Sequence, residues 1–169
     1  MPTFSLRPVT DVDHEWLVEL HNDPLVLKNN TDPRPITIET HMSWWRSLNP
    51  DRDKRSIFCV DGERVGFAKL FNIDQANKCC VLGGDIHPDF RGKRYARHMW
   101  QLMLKECFEK LKLHRVSLTV AEYNTIGRHL YGSMGFKHEG KLYQSPLRDG
   151  VFYDQELMFL LRDDWVPTT

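Results

Sequence analysis

Apolar residues recur along Tyr95 to Leu111 at Ala96, Met99, Trp100, Met103, Cys107 and Leu111, opposite Arg97, Gln101, Lys105 and Glu109. A period near 3.6 predicts an amphipathic helix there. From His114 to Ala121 the period changes to two, with Val116, Leu118 and Val120 alternating against Ser117 and Thr119, so a strand follows. Upstream, Cys79 to His87 reads as a strand, and the strand, helix, strand order implies parallel pairing across the helix. Asn124 is then the predicted N-cap of a helix carrying Ile126, Leu130, Tyr131 and Met134, with Gly135 as its C′ residue.

The N-terminal half alternates similarly. Thr3 to Val9 is a predicted strand, Asp11 caps a helix through Trp16, Leu17 and Leu20, and that helix stops before Pro24. After the turn-rich Asn29 to Pro35, helical spacing resumes from Thr37 and Glu39 to Leu48 through Ile38, Met42, Trp45 and Leu48. Ser56 to Val60 and Arg64 to Ile73 flank Asp61-Gly62, a hairpin signal because glycine tolerates positive φ. Asn77-Lys78 marks the next turn, and two last strands, about Lys137 to Gln144 and Val151 to Leu161, flank Asp149-Gly150 as a terminal hairpin. Without an internal repeat or linker, residues 1–169 form one mixed α/β domain.

At 169 residues the chain buries enough surface to stand without metal or disulfides. Twenty-three basic residues balance twenty-three acidic ones, which argues against nucleic acid and anionic membrane as partners. Cys59, Cys79, Cys80 and Cys107 lack paired metal-ligand spacing, so no metal is expected, and a reduced, cytoplasmic setting fits. There is no signal-peptide pattern, and no apolar run approaches the roughly 18 to 20 residues of a membrane span.

The chemistry begins at Leu82 to Ala96, LGGDIHPDFRGKRYA, where an apolar strand passes through a Pro turn and a basic loop into a helix. Unpartnered N–H groups and the helix dipole make such a place a pyrophosphate cradle, and Arg91, Lys93, Arg94 and Arg97 add charge. The loop has neither a P-loop pattern nor GxGxxG.

Arg91-Gly92-Lys93-Arg94-Tyr95-Ala96 resembles the [QR]-x-x-G-x-[GA] loop of the GNAT superfamily of acyl-CoA-dependent N-acetyltransferases. Asn124, Tyr131 and Gly135-Phe136 resemble that family's N-x6-Y-x3-GF signature, and Arg94 stands where the family usually has glycine. The resemblance implies a twisted mixed sheet of about seven strands, flanked by helices and splayed in the middle where acetyl-CoA, the cosubstrate, binds. It further implies cofactor contacts from Ile86, His87, Arg91, Gly92, Lys93, Arg94, Tyr95, Ala96, Asn124 and Tyr131. The carbonyl's hydrogen-bond donor is then a main-chain N–H on the strand through Asp85 and Ile86, and Tyr131 is the general acid. Asp85, Glu122, His87 and His41 are candidates for the base, with Asp85 and His41 favoured.

The stretch ITIETHMSWW resembles the nucleotide-linked amino-sugar N-acetyltransferases of this superfamily. That resemblance implies direct transfer to the amine of a dTDP- or UDP-linked 4-amino-4,6-dideoxy sugar in a ternary complex. His41, Trp44 and Arg34 are then substrate contacts; Trp44 or Trp45 stacks on the base, and Arg34, Arg46 or Arg55 meets the diphosphate. Acetylation of protein N-terminal amines, as in the ribosomal-protein acetyltransferases, and a non-catalytic acyl-CoA or nucleotide-sugar binding module are the alternatives. A homodimer is the candidate assembly.

Overall fold

The computed structural model describes residues 1–167 and is built around a seven-stranded mixed sheet. Its strands are β1 (Phe4–Pro8), β2 (Lys54–Val60), β3 (Glu63–Asp74), β4 (Cys79–Ile86), β5 (Arg115–Ala121), β6 (Lys137–Leu142) and, after a two-stranded flap, β9 (Gln155–Leu161). They lie in the order β1-β2-β3-β4-β5-β9-β6. β1 to β4 are consecutive antiparallel neighbours, β4 pairs β5 in parallel, and β9 inserts antiparallel between β5 and β6.

The parallel step requires a crossover, and the predicted helix supplies it: α4 (Tyr95–Lys105), continued by one wide π turn at Glu106–Lys110. Its apolar stripe is the centre of the larger core, where Met99, Trp100, Met103, Leu104 and Cys107 meet Phe58, Leu70, Val116 and Leu160. Strand alternation sends the other side chains of β2 and β3 to the opposite face. There Ile57, Cys59 and Phe67 pack under Leu17 and Leu20 of α1 (His14–His21). α3 (Ile38–Ser47) joins α1 on this face, whereas Leu130 and Tyr131 of α5 (Thr125–Ser133) pack against the core of the α4 face.

Two local expectations, the start of the first helix and the terminal hairpin, are corrected. The first helix begins with a 3₁₀ turn at Asp11–Asp13, entered through Thr10 rather than capped by Asp11. Asp13 is fully buried and receives both Arg7 guanidinium nitrogens at 2.7 and 2.8 Å, so its carboxylate is used in tying β1 to α1. The first helix does stop before Pro24, at His21, and Asp23 then caps a further short helix, α2 (Pro24–Asn29), by accepting from the N–H groups of Leu25 and Val26. Proline suits the first helical position, where no intrahelical donor is needed.

The terminal strands also differ from a simple hairpin. β6 and β9 do pair, but Asp149-Gly150 closes only the small flap of β7 (Leu147–Arg148) and β8 (Val151–Phe152). The flap has its own task. Buried Arg148 donates from Nε to the Lys28 carbonyl at 2.9 Å and also reaches the Asn30 carbonyl. Tyr123 donates to the same Lys28 carbonyl, so the segment after α2 is fastened from two sides.

Candidate active site

β4 and β5 pair only at Cys79 with Arg115, Cys80 with Val116 and Val81 with Ser117; beyond Val81 they part. The direction of the unpaired groups follows from alternation on the other edge. His87 N–H donates to the Val65 carbonyl and Ile86 lies opposite Gly66, so odd-numbered residues of β4 spend their main-chain groups on β3. Even-numbered residues face β5, as the Cys80 carbonyl does in accepting from Ser117. Gly84 and Ile86 therefore direct main-chain groups into the gap, where no strand meets them. The Ile86 carbonyl is taken by Arg91 Nε at 3.1 Å.

Two cavities converge on this gap. One, of about 810 Å³, lies on the α4 and α5 side and is lined by Ile86, Gly92, Arg94, Tyr95, Ala96 and Leu130 among others. The second, of about 560 Å³, lies under α1 and α3 between His41, Trp44, Arg55, Phe67, Lys69 and Phe71. Asn29, Gly84, Asp85, Asn124 and Tyr131 line both. A substrate in each cavity would meet a substrate in the other at these residues.

The first cavity ends at the basic loop. Gly92 has φ 77° and Arg94 has φ 63°, so the chain twice enters the left-handed region before α4 starts. A non-glycine residue there costs on the order of 1 kcal/mol, which accounts for the glycine usual at this position. Arg94 nevertheless adopts the conformation. Among the described residues, the N–H groups of Gly92, Lys93, Arg94, Tyr95 and Ala96 have no hydrogen-bond partner. Successive free N–H groups at a helix N-terminus form an anion nest.

The side chains around the nest divide. Those of Arg94 and Arg97 line the cavity with the main chain of Gly92, but Lys93 does not and lies over Phe90 at 5.1 Å. Arg91 is largely committed elsewhere: its guanidinium donates to Asp23 at 2.6 Å, joining the loop to the cap of α2. Burial alone would raise the Asp23 carboxyl, but Arg91 and the capping N–H groups outweigh it and hold the group below its usual range. His87 lines neither cavity; its ring is stacked on Trp16 at 5.5 Å.

Tyr131 stands at the junction. Its ring is packed on Trp100, 4.5 Å between centroids, and near Phe136, and its hydroxyl makes no hydrogen bond to a described residue. Burial pushes the phenol well above its usual range, and the Asp85 carboxylate adds to the shift, so the hydroxyl keeps its proton at neutral pH. The aim of the ring is set by α5, whose N-cap Asn124 accepts from the Gly127 N–H at 2.9 Å. A Cβ at residue 127 would stand 2.8 Å from the Asn124 amide, so glycine there makes the cap possible.

The proposed bases separate by environment. Asp85 receives Lys69 Nζ at 2.6 Å and is the only carboxylate among the described residues to line both cavities. Glu122 lines neither and accepts from the Asp154 N–H. His41 is 3% exposed and shares a hydrogen bond with His14, 3.0 Å between ring nitrogens. Burial, with the neighbouring His14 and His21, lowers its pKa to about 4.

Of the expected acceptor contacts, His41 and Trp44 line the second cavity, whereas Arg34 is outside it, 83% exposed and chelated by Asp32. Trp45 turns toward His14 at 4.9 Å instead. The role of Lys69 was not read from the sequence. Strand alternation places it on one face with Phe67 and Phe71, but its partner on β4 depends on a register that the irregularity between Phe71 and Asp74 conceals.

A parallel pair that opens over a capped Tyr helix, beside an anion nest at the start of the crossover helix, defines an acyl-CoA-dependent transferase. Residues 4–137 match the family model described as acetyltransferase (GNAT) domain, and the chain belongs to that family as an acetyl-CoA-dependent N-acetyltransferase. It is 25% identical over 163 residues to a spermidine N(1)-acetyltransferase of Escherichia coli K12, covering 90% of this chain and 88% of that protein. Over 128 residues it is 30% identical to the putative ribosomal N-acetyltransferase YdaF of Bacillus subtilis, covering 75% and 70% of the two chains. The crystal structure of a Vibrio cholerae spermidine N-acetyltransferase with CoA and spermine has the same fold, with TM-score 0.88, 22% identity and 95% and 96% of the chains covered. None of these matches carries the narrower resemblance to nucleotide-linked amino-sugar enzymes. Among the described residues, no helix is long and apolar enough to cross a membrane, and no group of three His, Cys, Asp or Glu side chains is arranged to hold a metal.

The neutral state of His41 has a consequence for stability. A histidine whose pKa falls from 6.5 to about 4 on folding contributes stability that is complete above about pH 6.5 and is lost as pH drops toward 4. Urea denaturation at pH 7 and pH 4.5 should show the wild type losing about 2 kcal/mol more than His41→Gln.

Proposed function

We propose that the chain transfers the acetyl group of acetyl-CoA to the amine of a dTDP- or UDP-linked 4-amino-4,6-dideoxy sugar, by direct attack with both substrates bound. Acetyl-CoA supplies the activated acyl carbonyl. The free N–H groups from Gly92 to Ala96, with Arg94 and Arg97, suit its pyrophosphate. The main chain of Gly84 and Ile86 suits its pantetheine arm, which would run along β4 in place of the absent strand. The Ile86 N–H, directed into the gap, stabilises charge on the carbonyl oxygen as the amine adds. Tyr131 gives its proton to the departing thiolate, and Asp85, at the junction, takes the proton lost by the amine.

The observation that carries the acceptor assignment is Trp44. It is 40% exposed and lines the second cavity, with the Arg55 guanidinium 5.8 Å from its ring centre. Arg55 lies between Trp44 and Phe71, and its Nε–H has no hydrogen-bond partner. An open indole face backed by a guanidinium suits a nucleobase and its phosphates. Polyamine acetylation is the second reading, favoured by the relatives that bear the spermidine name.

Thiol release should be seen with acetyl-CoA and a nucleotide-linked 4-amino sugar. Release confined to spermidine, or to peptides beginning in Ser or Ala, would contradict the sugar assignment. Tyr131→Phe is expected to lower kcat by about 10² or more with little change in the acetyl-CoA Kd, and an unchanged kcat would remove Tyr131 from the mechanism.

A further inference from the structure

The acceptor cavity holds carboxylates from Asp32 and Asp85 and cations from Lys69 and Arg55, together with His21 and the neutral His41. Each carboxylate already has a cation: Asp32 has Arg34 at 2.6 Å and Asp85 has Lys69 at 2.6 Å, while Arg55 has Asp53 at 3.1 Å. Among the described residues, each carboxylate of this wall already has a cation, and that of Asp85 is mostly buried. At the junction the matter is sharper, because among the described residues Asp85 is the one carboxylate there and Lys69 occupies it.

Lys69 is built into that position. It lies directly opposite Gly83 across the β3 and β4 ladder, and Asp85 is the diagonal neighbour on the same face. The Lys69 stem passes over Gly83, where a Cβ would stand 3.4 Å from its Cε, in ordinary contact. The Phe67 ring, its centre 5.7 Å from Nζ, supports the ammonium from the side. Lys69 and Asp85 are both mostly buried. A carboxylate on β4 and an aromatic ring on β3 thus hold one cation.

We propose that Lys69 determines which acceptors are used: it fixes a cation where the acceptor amine must arrive, selecting amines without further positive charge and rejecting di- and polycations. Like charges close together disfavour the charged form, so the same ammonium favours an arriving amine that has lost its proton. The titratable and charged residues that line the cavity with Lys69 are Asp85 on β4, Arg55 on β2, His41 on α3, His21 on α1, Tyr131 on α5 and Asp32 on the segment after α2. Only Asp85 pairs with it. The inference depends on the second cavity receiving the acceptor, and not on the nucleotide assigned above.

Butylamine and putrescine, equal in length and differing by one ammonium, are the probes. CoA release at saturating acetyl-CoA gives kcat/KM for each with wild type, Lys69→Met, Lys69→Gln and Lys69→Arg. The putrescine-to-butylamine ratio should rise by about tenfold or more in Lys69→Met and in Lys69→Gln, and stay at the wild-type value in Lys69→Arg. An unchanged acetyl-CoA Kd by calorimetry establishes that the variants fold. Lys69→Gln, which keeps a hydrogen-bond donor for Asp85, keeps the test open should Lys69→Met be unstable: a wild-type ratio there counts against the proposal. An equal ratio in folded Lys69→Met and wild type overturns it. A wild type that prefers spermidine to nucleotide sugars counts against both readings, whereas one that acetylates only peptides beginning in Ser or Ala refutes the sugar assignment alone and leaves the Lys69 proposal to its own ratio.

Discussion

Strand β4 leaves β5 after three paired residues, and the placement of the site depends on that separation. Main-chain N–H and C=O groups in a sheet interior need partners. Opening the sheet at its only parallel step leaves the groups of Gly84 and Ile86 directed at a gap instead of a strand. The gap persists because each side is held by something other than its missing neighbour. On one side β4 keeps its ladder to β3 and is extended by Arg91, which links the Ile86 carbonyl to Asp23. On the other, β5 keeps its full pairing with β9 from Arg115 to Ala121.

Around the gap the electrostatics are set by compensation and burial. Tyr131 and His41 both lose their charged forms to burial: the phenol stays protonated and the imidazole stays neutral. Asp85 is given a partner instead. The result is a junction with one neutral proton donor, one carboxylate and one ammonium, flanked by a strongly cationic nest on one side and a charge-balanced cavity on the other. Acyl transfer from a thioester to an amine needs a donor for the thiolate and an acceptor for the amine's proton, the roles proposed above for Tyr131 and Asp85.

Much of this was legible in local sequence. The stripe of α4, the Asn124 cap and the Asp61-Gly62 turn each depend on residues a few positions apart, where periodicity and capping chemistry speak directly. What escaped depends on distance. Arg91, placed by pattern among the phosphate ligands, meets Asp23 sixty-eight residues away, and only the folded chain brings the two together. Arg148 reaches the Lys28 and Asn30 carbonyls across a gap of more than a hundred residues. The insertion of β9 between β5 and β6 is likewise a choice among tertiary pairings that hydrophobic alternation leaves open. α2 is a different case: Asp23 and Pro24 carried its start signal, but six residues are too few for a periodic stripe.

Hydrogen-exchange NMR of the backbone amides with and without CoA tests the central claim, that the gap and the nest together form the acetyl-CoA site. Slowed exchange should appear at Gly84 or Ile86 and across Gly92 to Ala96, where N–H groups face the gap or lack protein partners. Binding of CoA that protects amides elsewhere and leaves both segments unchanged would contradict the account.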